Sequence, residues 1–392
     1  METDVEYAIV GGGIAGASVA YHLSRESDAE VVVYERNEEL GAETTRKSGA
    51  FFGHWGYESS TRLRLMRYSV ELLNRFLSSP RTDLTYRSVS RLQVATSEEG
   101  AAAIREHHRA YQERIEEIGL PVAPSAYYDR DDLFRVLPLP RYNRDGVTGA
   151  LYAPNIGYVD PQALSTEFVS RAKEQGVRFE CGTAVDQLLR DGDEIVGLVA
   201  DGERSIAEET VVTAGPWTPK LLNSVGIDIP IRHTLGPIMV LDPEEDRTHS
   251  VRSFKHEETG VYARRNRNGT LLVGNYPGEF EDVTGQYDPD RSRSVPDEVK
   301  TVARDVIRRI TPAYAEAPCV DEWVGIRSLT PNRDPLIGNA GLDRLSVVQF
   351  NASGIQLAAT AGDIIARQLV HDEYGSLDSA VSPTRFDNTL AG

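Results

Sequence analysis

Three glycines and one carboxylate near the start of this 392-residue chain are spaced for chemistry on a nucleotide. Gly11, Gly13 and Gly16 form the pattern G-x-G-x-x-G. Gly11 permits a tight turn, Gly13 lets the backbone approach a pyrophosphate, and Gly16 lets a helix pack closely on a strand. Glu35 follows 19 residues after Gly16, where a carboxylate can accept hydrogen bonds from ribose hydroxyls and repel a 2′-phosphate. These residues bind a dinucleotide only if a strand, a helix and a second strand hold them. The chain supplies that setting. Tyr7 to Val10 is an apolar run, IAGASVAYHL (14–23) reads as a helix of small residues, and EVVVY (30–34) is a second β-branched run. The helix start offers free N–H groups and the positive end of its dipole to phosphate. Ile14 and Ala15 at that start, and Arg36 beside Glu35, are therefore counted with the cofactor-binding residues.

The glycine pattern alone does not separate FAD from NAD. No second G-x-G-x-x-G follows a strand, and after residue 40 the chain leaves regular βα repeats for the polar loop GAETTRKSGA (41–50). Further helices are expected over 59–79, 97–118, 161–175, 299–310 and 354–370. They carry Ser97 as a cap, Pro161 in a first turn and Gly176 as a stop. Short strands are expected at 177–180, 195–199, 209–213, 236–241, 270–274 and 344–349. Residues 281–296 read as a surface loop, and the tail after about 375 as loosely held.

Composition excludes several classes of function. The formal net charge is −18, which disfavours nucleic acid as a partner. Neither Cys181 nor Cys319 sits in a C-x-x-C or Cys/His cluster, so no metal site is expected. No stretch approaches the roughly 20 apolar residues that span a bilayer, and the acidic start METDVEYAIV lacks a basic secretory region. A cytoplasmic protein is expected. Only five of its 42 basic residues are lysine, against 60 acidic residues. That balance resembles proteins of salt-loving archaea, whose surface self-repulsion is screened in concentrated salt.

Several separate stretches together resemble the FAD-dependent D-amino acid oxidase superfamily, over about residues 5–370. They are YAIVGGGIAGASVAYHLS with VVVYER, TTRKSGA, GYVDPQAL, TVVTAGPWTPKLL, and WVGIRSLTPNRDPLIG followed by NASGIQLAATAG. The superfamily includes glycine and sarcosine oxidases, dimethylglycine and proline dehydrogenases, and D-amino acid dehydrogenases. GIRS and SGIQLAA look nearest to the dehydrogenases acting on D-arginine and related substrates. The resemblance implies an α/β fold, with a Rossmann-like, glutathione-reductase-type FAD domain and an inserted α+β substrate domain on a mostly antiparallel sheet. The expected FAD domain covers 1–80, 150–232 and 322–375. The substrate domain covers 81–149 and 233–321, and 376–392 is a C-terminal tail.

The resemblance also assigns roles. It implies that Thr44, Thr45 and Ser48 lie along the FAD phosphates and ribityl chain, with Gly49 and Ala50 near the flavin. Val185 would contact the adenine side, and Ala214, Gly215 and Trp217 would pass close to the cofactor. Gly338 and the run Gly354, Ile355 and Gln356 would close over the isoalloxazine. Arg327 would grip a substrate carboxylate through its planar fork, with Tyr262 adding a hydroxyl. The implied reaction is oxidation of a small amine or amino acid, a D-amino acid first, by hydride transfer to flavin N5, and the imine formed then hydrolyses. A secondary-amine dehydrogenase or oxidase of the sarcosine, dimethylglycine or proline type is the alternative. An FAD-binding complex subunit or assembly factor is the second alternative. The electron acceptor stays open, as does an oligomer.

The chain departs from the family at defined positions. Gly325 stands where monomeric sarcosine oxidases carry the flavin-bonding cysteine, so FAD is expected to be non-covalent. His54 sits several residues past the histidine that some relatives attach to flavin, and is read as a pocket residue. Gln356 replaces the flavin-side lysine of some oxidases, which favours a dehydrogenase. Ala352 replaces a glycine of the family's turn. No acid stands near Leu92, where an arginine-specific pocket needs one.

Overall fold

The structure, a computed structural model, describes residues 3–52, 59–78, 84, 87–243, 251–266, 268–275 and 288–386. His54 lies outside the described residues.

Two sheets organise these residues. The first runs Leu336–Asn339, Leu345–Gln349, Glu203–Val212, Thr3–Val10, Val31–Glu35, Arg178–Cys181. All neighbours in it are parallel except the first pair. A hairpin, Val185–Asp191 with Glu194–Ala200, joins along Glu203–Val212. Alternate residues of the first strand face opposite ways. Ile9 packs with the helices Ile14–Glu26, Pro161–Glu174 and Gly354–His371, while Ala8 and Val10 pack under the hairpin. A parallel sheet buried on both faces reads as near-continuous apolar runs, and Val31–Tyr34 is fully buried in that way.

The second sheet runs Cys319–Leu329, Arg232–Leu241, Leu271–Gly274, Tyr262–Arg265, Ser253–His256, Arg87–Ala95, Gly149–Tyr158, Phe51–Phe52. Ala126–Asp129 pairs onto Gly149–Tyr158. Its pairs are antiparallel apart from Ser253–His256 with Arg87–Ala95. One face packs Leu92, Val94, Phe254 and Val273 against the helix Asp297–Ile310. The other face carries Ile238, Tyr262 and Leu272 and turns toward the first sheet's glycine loop.

The expected helices form close to their predicted bounds. Ser97 accepts from Gly100 N, and Gly119 ends that helix in a left-handed conformation. Asp160 caps the helix that Pro161 opens. Two expectations are corrected. Gly149–Tyr158 and Cys319–Leu329 belong to the second sheet, so the stretches 150–158 and 322–329 leave the expected FAD domain. Their sequences mix buried and half-exposed positions, and pairing partners decide which sheet claims them. The tail is held as far as Phe386. Val381 is fully buried, and Asp378 accepts from Gln368 and faces Arg367 at 3.6 Å. The loop at 288–296 is a surface loop as expected, and its Asp290 contacts Arg36 and Trp217.

Candidate active site

The glycine loop sits between the ends of three parallel strands. Gly11 has φ +107°, and a Cβ there would lie 2.8 Å from Thr213 O. A Cβ on Gly16 would run into the Gly11 carbonyl oxygen. Thr213 stitches the turn from the third strand, its hydroxyl reaching Val10 O and Gly11 O at 2.9 Å. Glu35 closes the far side. Its Oε2 accepts from Gly12 N at 2.7 Å and its Oε1 from Asn37 N at 2.9 Å. Asn37 Nδ2 donates a third bond, to Oε1 at 2.8 Å, and a carboxylate has about four acceptor sites, so one is left for a ribose hydroxyl.

A cavity of about 420 Å³ opens from this loop toward the second sheet. Gly13 forms part of its wall, and a Cβ there would meet only Thr45 Oγ1, at 3.3 Å. Ile14 and Ala15 line it at the start of their helix, and Ile14 N donates to Thr45 Oγ1 at 3.0 Å. Thr44, Ser48 and Gly49 continue the wall from the polar loop. Val185, Glu35 and Arg36 line the cavity as well. Ala214, Gly215 and Trp217 also line it, and Gly215, at φ +54°, has open space where a Cβ would go. Gly354 and Ile355 bring a second helix start to the same cavity.

The two helix starts are the strongest indication of what the cavity holds. Neither Gly13 nor Ser353 caps its helix with a side chain. Amides at a helix start need acceptors, and the dipole there favours negative charge. An elongated ligand with a pyrophosphate at one helix and an electron-accepting, anion-forming ring at the other meets both. FAD is such a molecule, and the glycine cradle, Glu35 and both helix starts fit it.

Beyond Gly49 the wall passes to the second sheet. Tyr262 and Arg327 both line the cavity, with Gly325 on the strand of Arg327 and its register partner Gly236 on the next strand. The Tyr262 ring lies across Gly274, where any Cβ would collide with it, and its hydroxyl approaches Gly49. Arg327 Nη2 donates to Leu235 O at 2.9 Å, which fixes the guanidinium against the neighbouring strand. Arg264 ties the two regions together. Its Nε donates to Gly49 O at 2.9 Å and its guanidinium stacks on Tyr158 at 4.1 Å, so the sheet holds the polar loop in place. Trp323 does the same through Lys47 O at 3.1 Å.

Several expected residues stand elsewhere. Gly16 supports the turn from behind and does not line the cavity. Gly338 pairs with Val347, and its missing Cβ makes room for Gln368 on the last long helix. Gln356 is buried off the cavity, where its carbonyl accepts from the Ser69 hydroxyl. Ala50 belongs to the apolar core, at φ +51°. Among the described residues no group of His, Cys, Asp and Glu could hold a metal ion.

Two contributions escaped the sequence reading. Thr213 gave no signal beyond its place in TVVTAGPW. Asp290 was concealed in a polar loop. It lines the cavity and pairs with Arg36 at 2.6 Å, and it also accepts from Trp217 Nε1 at 2.8 Å. Arg36 in turn stacks on Trp217 at 3.8 Å. The Arg36 guanidinium holds the Asp290 carboxyl below the usual carboxylate range, with help from the indole N–H.

Comparison with known proteins supplies the family. The DAO family, described as FAD dependent oxidoreductase, matches residues 6–368. The chain belongs to this family. Its 4-methylaminobutanoate oxidase (formaldehyde-forming) from Paenarthrobacter nicotinovorans is 26% identical across 98% of this chain. The match takes in 46% of that enzyme, so the chain spans under half its length. A D-amino acid dehydrogenase from Allorhizobium ampelinum is 25% identical over 84% of this chain and 74% of its own. Among solved structures, L-proline dehydrogenase from P. horikoshii superimposes with a TM-score of 0.84. It covers 99% of both chains at 20% identity, a likeness of fold. The DAO fold thus accounts for both sheets, and FAD is the cofactor on which the family depends.

Proposed function

We propose that this DAO-family protein oxidises a small amine or amino acid, with a D-amino acid as the first candidate. One observation carries the reading. Arg327 and Tyr262 open into the same cavity as the glycine loop and the two uncapped helix starts. A carboxylate held there lies beside the cofactor.

FAD, when bound, supplies the two-electron acceptor. The protein's own residues bind and orient. Arg327 offers a planar fork that suits a carboxylate, and its bond to Leu235 O sets the direction of the fork. Tyr262 adds a hydroxyl at the Gly49 side. The start of Gly354–His371 favours negative charge at the end of the cavity that it faces. A substrate amine that enters uncharged needs no dedicated base. Among cavity cations, Lys47 is already paired with Glu43 at 3.0 Å. That pairing is the one observation that favours a dehydrogenase. A secondary amine is the second reading, favoured by the 4-methylaminobutanoate oxidase relative.

Anaerobic addition of D-amino acids, sarcosine, glycine and proline to the holoprotein tests the proposal. At least one should bleach the flavin absorption near 450 nm. Failure of every amine to do so would leave an FAD-binding subunit without its own turnover.

A further inference from the structure

Arg62 stands outside the cavity, yet it holds the turn that shapes one of its walls. It lies buried in the first turn of the helix Ser60–Leu77. Ser59 caps that helix by accepting from Arg62 N at 3.2 Å, and its own hydroxyl donates to Asp334 Oδ2 at 3.0 Å. From this fixed base the guanidinium reaches two loops. Nη1 donates to Arg333 O at 2.9 Å. Nη2 donates to Asn351 O and to Ser353 Oγ, the latter at 2.6 Å. Each loop holds a non-glycine residue in the left-handed region, Arg333 at φ +62° and Ala352 at φ +57°. Such residues persist only where their surroundings over-determine them. Asn351 and Ser353 flank Ala352, so Arg62 grips the turn on both sides of a residue that lines the cavity.

Ser353 adds a second, independent sign. Ser59, Ser97, Asp129 and Asp160 each precede a helix with extended backbone, and each accepts from the amide three residues on. Ser353 has the same place before Gly354–His371, but its backbone, at φ −130° and ψ 29°, is not extended, and its side chain makes no cap. Its hydroxyl is bonded to Arg62 instead. A serine cap would set a hydroxyl oxygen against the first amides and weaken the positive end of the helix. That end stays uncapped where Ala352, Gly354 and Ile355 wall the cavity.

We propose that Arg62 is a positioning residue for the bound flavin. It keeps the turn at Ala352 in its left-handed form and keeps the Ser353 hydroxyl off the helix amides. The bare end of Gly354–His371 then stabilises negative charge on the reduced ring. The inference rests on the reading above that the ring lies at this helix start.

The test is the two-electron midpoint potential of the FAD holoprotein, read from flavin absorption during anaerobic chemical reduction beside a reference dye. It needs no amine substrate, so it stands apart from the amino acid reading. Arg62→Met releases Ser353 to cap, and the weakened helix end should shift the reduction equilibrium roughly fivefold toward oxidised FAD. At about 30 mV per tenfold, that is a fall of about 20 mV. Ser353→Ala alone should move the equilibrium less than about twofold, because that hydroxyl makes no cap. Arg62→Met combined with Ser353→Ala should recover most of the fall, since no hydroxyl remains to cap. An unchanged potential in Arg62→Met overturns the inference. A double variant that falls as far as Arg62→Met also overturns it, because Arg62 would then act by charge alone. Should Arg62→Met not fold, Arg62→Lys decides. Lysine keeps the charge, but its one ammonium cannot span Arg333 O, Asn351 O and Ser353 Oγ, so the potential should still fall, and a wild-type value overturns the inference. Ala352→Asp separates the inference from the reading beneath it. Aspartate tolerates the left-handed region and sets a carboxylate in the cavity wall, which should shift a ring at this end by roughly tenfold. No shift in Ala352→Asp removes the ring from this end, and the inference with it. A shift there without one in Arg62→Met sinks only the role of Arg62.

Discussion

The two ends of the cavity are built by different means. At the nucleotide end, the backbone does most of the work through a glycine turn, two helix starts and a loop pinned by Arg264 and Trp323. At the sheet end, side chains do it, with Tyr262 and Arg327 on antiparallel strands. Backbone recognition tolerates little change in residue type, because it needs particular φ values and missing Cβ atoms. A sheet face accepts new side chains without altering the fold. The cofactor end therefore fixes the class of reaction, and the sheet end can vary the substrate.

The largest expected effect lies at the backbone end. Gly16→Val puts side-chain atoms into the Gly11 carbonyl. It should cost about 3 kcal/mol or more in a packed turn and leave the purified protein without flavin, as its absorption spectrum would show. FAD binding at wild-type level would break the contrast.

A smaller effect is expected where side chains hold the cofactor. Asp290→Asn removes the carboxylate shared by Arg36 and Trp217. A surface ion pair of this kind is worth up to about 1 kcal/mol, so FAD dissociation should quicken by up to about fivefold. Because the paired carboxyl titrates lower than usual, the contact is intact above the ordinary carboxylate range and fails as pH falls below it. The wild-type dissociation rate should accordingly approach that of the variant in acid. No difference at neutral pH would place Asp290 outside cofactor retention.

The smallest effect concerns strain. Ala352 lines the cavity at φ +57°, where alanine is disfavoured by about 1 kcal/mol. Ala352→Gly should raise the melting temperature by roughly 1–2 °C. A drop would mean that the methyl packs usefully against the bound cofactor.

Much of the nucleotide end was legible in the sequence, since G-x-G-x-x-G between two apolar strands has a single local geometry. Glu35 and the polar loop followed from it. Gly338 and Gln356 were less legible. Their neighbours suggest the flavin, but the last helix turns Gln356 inward and gives Gly338 to Gln368. The strand Cys319–Leu329 alternates too weakly to announce its sheet, and only its register with Arg232–Leu241 settles it. Asp290 was hidden because a loop residue acquires its role from distant partners that no local pattern specifies.

The central claim joins the two ends: a carboxylate held by Arg327 delivers a substrate to FAD. The direct measurement is the rate of anaerobic flavin reduction against substrate concentration, in wild type and in Arg327→Ala, at equal FAD content. Loss of a charge-assisted fork predicts saturation at roughly 10- to 100-fold higher substrate in the variant. Identical saturation curves would contradict the claim.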